Sequence, residues 1–372
     1  MKRIISIIIA AVFMVAALTA CGSTQAKSDV SNNSSSTEKS SLKIVTTIFP
    51  EYDWVKEVLG DSASDADITM LLDSGVDLHS FQPTADDIMK ISDCDLFIYV
   101  GGESDGWVED ALSEVTNKDM QVINLLETLG DSVKAEEVVE GMEHEHDHDH
   151  EHEEAGEEEH DHEHEEAGEE EHDHEHEDAG EEDHDHEHED EEEEEMDEHV
   201  WLSLKNTQTI VDSIASALRK VDSGKASMYQ ANAEAYKSKL SSLDKEYEAA
   251  VSGARVKTLL FGDRFPFRYL VDDYGLSYYA AFVGCSAETE ASFETIIFLA
   301  KKVDELGLKS IMTIEGKDHK IAETIRDNTE KKDQQILTMD SMQATTSQDV
   351  KDGKTYLSIM QDNLSVLKEA LK

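Results

Sequence analysis

The sequence predicts an α/β protein of two lobes, each built on a mainly parallel sheet, with one long helix between them. Short β-branched runs alternate with helical patterns in both halves of the chain. Between the halves lies an apolar stripe at helical spacing, on the order of 27 residues long and so about 40 Å at 1.5 Å per residue. Each alternating stretch is also of ordinary domain size, roughly 120 to 130 residues.

The first half opens with LKIVTTI (42–48), a β-branched run ended by Pro50, and continues in YDWVKEVLG, helical in spacing and closed by Gly60. DITMLL (67–72) reads as a second strand, PTADDIMKIS (83–92) as a helix with Pro and Thr at its start, DLFIYVGG (95–102) as a third strand and MQVINLL (120–126) as a fourth. NTQTIVDSIASALRKV (206–221) is a helix, and Tyr229, Ala233, Tyr236, Leu240, Leu243 and Tyr247 then recur at alternating steps of 4 and 3 with no Gly or Pro before Gly253. Such a stripe belongs to one long amphipathic helix acting as a strut, its tyrosines serving as core. The second half repeats the alternation. VKTLLFGD (256–263), LSYYAAF (276–282), KSIMTIE (309–315) and QQILTM (334–339) read as strands, and 293–307, 319–329 and 356–371 as helices.

Composition excludes several partners. The 372 residues carry a formal charge of −53, which argues against nucleic acid and anionic membrane surfaces. The excess is local: residues 143–198 hold 35 of the 85 acids and no Lys or Arg, leaving 50 acids against 32 bases elsewhere. That insert repeats with a period of 12, as EEAGEEEHDHEH (153–164), EEAGEEEHDHEH (165–176) and EDAGEEDHDHEH (177–188). It cannot bury a core and is expected to be disordered without ligand. It contains 14 of the 17 histidines: His144, His146, His148, His150, His152, His160, His162, His164, His172, His174, His176, His184, His186 and His188. Neutral imidazoles two residues apart in an acidic field chelate divalent cations, and the entropy of ordering them favours several weak sites over one tight one. The run reads as a metal-collecting arm, since a solubilising spacer has no need of histidine.

The N-terminus, MKRIISIIIAAVFMVAALTAC, has a basic start, an apolar run and small residues before Cys21. It reads as an export signal, too short for a stable spanning helix. LTAC resembles a bacterial lipobox, which implies cleavage before Cys21 and a lipid on its sulfur. The following Ser/Asn-rich stretch reads as a tether. The expected organisation is therefore a signal peptide (1–20), a lipid-anchored flexible tether (21–41), an N-terminal lobe (42–224) containing the insert (143–198), a linking helix (225–253) and a C-terminal lobe (254–372). Cys94 and Cys285 fall in different lobes, so they are not expected to form a disulfide.

In open α/β sheets ligands sit beyond the carboxyl ends of strands. That rule selects His79 after 67–72, Asp263 and Arg264 after 256–261, and Glu315 after 309–314. His199, where the insert ends and the fold resumes, is a further candidate. Imidazoles and carboxylates meeting in one cleft form the donor set that Zn²⁺ or Mn²⁺ requires. His319 reads as a helix start. Cys285, in VGCSAE, reads as a small buried thiol, with a soft ligand in the cleft as the other reading.

TTIFP, VDLHSFQPTADDIMKISDCDLFIYVGG, DEHVWLSLKN, the strut helix, SAETEASFETI, IMTIEGKDHKIAETI and YLSIMQDNLSVLKEAL, taken in order, resemble the zinc and manganese solute-binding lipoproteins of ATP-binding-cassette importers. The resemblance runs from Leu42 to Lys372 apart from the insert. It implies two Rossmann-like lobes joined by a rigid helix, a metal site in the inter-lobe cleft, and His79, His199 and Glu315 as ligands. It also implies a third His or Glu where this chain has Arg264 in FPFRY. Arginine stays protonated and does not ligate cations, so the adjacent Asp263 or a water is expected to serve. The implied protein is a monomeric, extracytoplasmic, lipid-anchored receptor that hands Zn²⁺ to a membrane permease. Manganese is the alternative cargo, and a surface zinc buffer or adhesin the alternative role. An enzyme is disfavoured, because the chain shows no nucleophilic triad signature, and a site filled by protein ligands leaves no open position for a water.

Overall fold

The computed structural model describes residues 41–142, 195–286, 290–316 and 318–372. The signal, the tether with Cys21, and the fourteen clustered histidines lie outside the described residues.

The first half forms β1 (Leu42–Thr46), α1 (Phe49–Leu59), β2 (Ala66–Met70), α2 (Ala85–Ser92), β3 (Leu96–Tyr99), α3 (Val108–Ser113), β4 (Gln121–Asn124), α4 (Leu125–Leu129) and α5 (Leu204–Val221). The second forms α6 (Ala226–Ser252), β5 (Thr258–Phe265), α7 (Arg268–Tyr274), β6 (Ser277–Val283), α8 (Phe293–Leu306), β7 (Ser310–Ile314), α9 (Lys320–Asn328), β8 (Gln335–Met339), α10 (Ser347–Lys351) and α11 (Tyr356–Ala370). Every described strand pairing within the two sheets is parallel. The strand orders are β2-β1-β3-β4 and β6-β5-β7-β8, so the two halves repeat one topology. In each, the order reverses beside the first strand, which opens a crevice at the carboxyl ends.

Local chemistry sets the element ends. Thr84 accepts the N–H of Asp87 while the Asp87 carboxylate accepts that of Thr84, a capping box that starts α2 after Pro83. Gly275 and Gly307, both left-handed, close α7 and α8.

The predicted stripe on α6 is the buried face. Tyr229, Ala233, Tyr236, Leu240, Leu243, Tyr247 and Val251 all face the core. The helix packs on α1 and α5 of one half and on α7 and α11 of the other. Asn232 Nδ2 donates to the Val58 carbonyl (3.0 Å), and Tyr247 Oη donates to that of Met360 (2.6 Å). Each large apolar side chain buried in this way contributes about 1.5–3 kcal/mol. The C-terminal helix returns to the first half, where Tyr356 meets Trp54 edge-on at 5.2 Å and its N–H donates to Asp53. Ser41–Lys372 accordingly forms one unit with a shared core.

Two expectations are corrected. The strand read at 256–263, with the strand-end rule applied after Phe261, continues to Phe265, with a register shift between Phe261 and Arg264. Gly262 permits this, because a Cβ there would lie 2.5 Å from the Cα of Ala322 on α9. Asp263 and Arg264 are therefore strand residues, not loop residues beyond the strand. The insert is also shorter than 143–198 at its second end. Glu136 N–H donates to the Glu195 carbonyl (2.8 Å), Asp197 N–H to that of Lys134 (2.9 Å), and Ala135 bridges Met196 antiparallel, so the chain has rejoined the fold by Glu195.

Candidate metal centre

After β2 the chain enters a short 3₁₀ turn, Leu78–Ser80, capped by Asp77, whose carboxylate accepts the N–H of His79 (3.1 Å). The turn fixes the imidazole, and its Nδ1 meets Ser104 Oγ at 2.7 Å and Glu198 Oε2 at 3.4 Å. His199 has a parallel arrangement. Its N–H donates to Asp197 Oδ1 (2.8 Å), and its Nδ1 lies 3.0 Å from the same oxygen. The ring is fully buried beside Trp201.

Each imidazole thus has a carboxylate behind Nδ1, which favours a proton there and leaves the Nε2 lone pair free. The two Nε2 atoms face each other at 3.4 Å. Two nitrogens bound to one tetrahedral zinc at 2.0–2.1 Å would stand about 3.3 Å apart. The pair therefore has the spacing of two ligands of one ion. Cys285, in the turn after β6, completes a group in which one donor atom from each of His79, His199 and Cys285 lies within 4.8 Å of the others. Of the two readings of Cys285, small buried thiol or soft ligand in the cleft, the second has a geometric basis, since its sulfur lies in this group.

Asp263 and Glu315 are not brought into this group. Both line a cleft of about 910 Å³ that also contains His79 and Arg264. The Asp263 oxygens accept the main-chain N–H groups of Arg264 (2.9 Å) and Ile314 (3.3 Å), and burial raises its pKa above the usual carboxylate value. Glu315 is held by Ser341, from N–H and Oγ, and by the N–H of Gln343. Arg264 makes a cross-half bridge, with Nη2 donating to Asp77 (2.7 Å) and Nη1 to the Ser286 carbonyl (3.2 Å).

Buried acids extend away from the pair. Glu198 is buried, which alone would raise its pKa, yet hydrogen bonds from His79 and Ser104 hold it below its ordinary value. Asp105 is pushed up to about 7 by burial, with the charge of Glu198 adding to the effect. Glu51 is pushed up to about 8 by burial and then by Asp105. Sequence reasoning missed Asp197, Glu198 and Ser104. The two acids look like the tail of the acidic tract, and only their place immediately before His199 marks them.

The family profile described as zinc-uptake complex component A, periplasmic, matches residues 44–370. The chain is 30% identical over 333 residues to the zinc-binding protein AdcA of Streptococcus pyogenes, covering 88% of this chain and 55% of AdcA. It thus spans about half the length of that relative. It is 29% identical over 364 residues to the high-affinity zinc uptake system protein ZnuA of Bacillus subtilis, covering 98% and 96%. Among solved structures, the Zn(II)-bound ZnuA-like domain of Streptococcus pneumoniae AdcA matches with a TM-score of 0.62 at 26% identity, over 89% of this chain and 99% of that one. The periplasmic zinc binding protein TroA of Treponema pallidum matches at 0.63 and 21% identity, over 89% and 99%, a likeness of fold.

Proposed function

Since the chain belongs to the periplasmic zinc-uptake complex component A family, we propose that it is an extracytoplasmic receptor that captures Zn²⁺ and delivers it to the membrane permease of an ATP-binding-cassette importer. The observation that supports this best is the 3.4 Å spacing of the two Nε2 atoms, each imidazole backed by a buried carboxylate. Zinc suits this donor set because imidazole is a better ligand for it than for manganese, which prefers oxygen. His79 and His199 hold the cargo at the cleft between the two sheets, and Glu315 borders the same cleft from the second lobe.

The remaining parts of the reading follow from the sequence. Residues 1–20 direct export, Cys21 anchors a monomer to the membrane through its lipid, and the histidines of 144–188 act as an accessory collecting arm. No reaction is assigned to the protein.

Competitive titration of Zn²⁺ against Mn²⁺ on the chain lacking residues 143–194 tests the proposal. One tight, zinc-preferring site is the expected result. A manganese preference, or no tight site once the arm is gone, overturns it.

A further inference from the structure

We propose that Cys285 is the third protein donor to the metal, making a His₂Cys set with His79 and His199. The inference rests on the receptor reading above and specifies the site within it. The position that the resemblance assigns to a His or Glu is occupied by Arg264, which cannot coordinate a cation. Something else must complete the site, and neither carboxylate candidate lies in the donor group. Cys285 does, within 4.8 Å of both imidazoles.

The main chain is built to bring it there. Gly284 lies so close to His199 that a Cβ would sit 3.0 Å from its Cε1, 3.1 Å from its Nδ1 and 3.0 Å from the Phe265 carbonyl. A larger residue would have to push the imidazole or the Phe265 carbonyl aside by a few tenths of an ångström, so the glycine lets the turn lie against the ring, and Cys285 is the next residue. Two anchors hold the turn. The Cys285 N–H donates to Glu136 Oε1 (3.0 Å), and the Ser286 carbonyl accepts from Arg264 (3.2 Å). Arg264 reaches Asp77 with its other nitrogen, and Asp77 caps the turn that holds His79. The arginine therefore acts as a positioning residue that ties the turn of one ligand to the turn of another.

Among the described residues Cys285 forms no disulfide, and the other described cysteine, Cys94, is buried beside Met120. When Zn²⁺ binds, the S–H bond breaks, the proton leaves to solvent and the thiolate forms the Zn–S bond; no electron is transferred. A thiolate also sharpens selectivity, since soft sulfur suits zinc and not manganese.

Cobalt reports the ligand directly, because thiolate bound to Co²⁺ gives intense near-ultraviolet charge-transfer absorption, and imidazole and carboxylate do not. The histidine arm is silent in this band, so the full chain, kept reduced, is titrated with Co²⁺. The band should appear in the wild-type chain and in Cys21→Ser and Cys94→Ser, and vanish in Cys285→Ser and Cys285→Ala. Zn²⁺ affinity in the Cys285 variants should fall by about tenfold or more. A wild-type chain with one tight zinc site but no band overturns the Cys285 assignment and leaves the receptor reading standing, as does a band that survives in Cys285→Ser. Absence of any tight zinc site in the wild-type chain overturns both. Where a Cys285 variant fails to fold, the band's presence in the wild-type chain and its persistence in Cys21→Ser and Cys94→Ser still assign it to Cys285, and its absence from the wild-type chain still overturns the assignment.

Discussion

The two halves of this protein share one strand order but contribute to the site in different ways. From the first half come two imidazoles, each with a carboxylate behind Nδ1, and His199 has no solvent exposure at all. The second sheet contributes Cys285 and Arg264, held by main-chain hydrogen bonds at a turn and by one ion pair across the cleft. A repeated topology therefore leaves open which groups each half contributes. The first half orients its donors through buried charge. The second brings its donor close through a glycine.

This asymmetry implies a ranking of losses. His199→Ala should be the most damaging change, because it removes a donor and leaves Asp197 buried without its imidazole. Zn²⁺ affinity of the chain lacking 143–194 should drop more than about 100-fold, beyond the 10–100-fold typical of losing a group that only supports a ligand. Isothermal titration against a competing chelator measures this. A drop smaller than that of Cys285→Ala would reverse the assignment of the two halves.

Asp197→Asn should come next, at about 10–100-fold, since the amide keeps the shape but cannot act as an anionic acceptor for His199 Nδ1–H. The variant should fold normally by circular dichroism. Unchanged affinity would mean that burial, and not the carboxylate, orients the ring.

Much of this architecture was readable beforehand, and the exceptions have physical causes. Alternating β-branched runs located all eight strands of the described residues, and the stripe from Tyr229 to Tyr247 located α6, because burial on a regular element leaves a period in the sequence. The end of β5 was misplaced because Gly262 usually marks a break, whereas here it admits Ala322 against the strand. Helices α3, α7 and α10, of 6, 7 and 5 residues, are too short to show a period. Cys285 was underweighted because a single residue in a turn has no periodicity. Extending the strand-end rule to β6, which ends at Val283, would have selected it.

The smallest expected effect on metal binding, and the clearest on stability, concerns Glu51, which lies in the buried acid row of the first half. Its Oε2 accepts the N–H groups of Thr47 (2.8 Å) and Ile48 (3.3 Å), so the side chain ties down the start of α1, yet it is wholly buried. Its pKa rises from 4.5 in the open chain to about 8 in the fold. Between those values the folded state binds the proton that the unfolded state has released, so stability must fall as pH rises across this window, by up to about 1.4 kcal/mol per pH unit for one such group. Asp105, raised to about 7, adds a slope of the same sign below neutrality. Glu51→Gln keeps an acceptor for the two N–H groups and removes the ionisation. Thermal unfolding of the metal-free chain should show wild type and variant close together near pH 5, with the variant melting higher at pH 8 and its zinc affinity changed by less than about twofold. Parallel melting curves from pH 5 to 8 would show that Glu51 is already ionised in the fold. The acid row would then be a line of charge directed at the metal centre, and the first half would attract its ion from a longer range than the second.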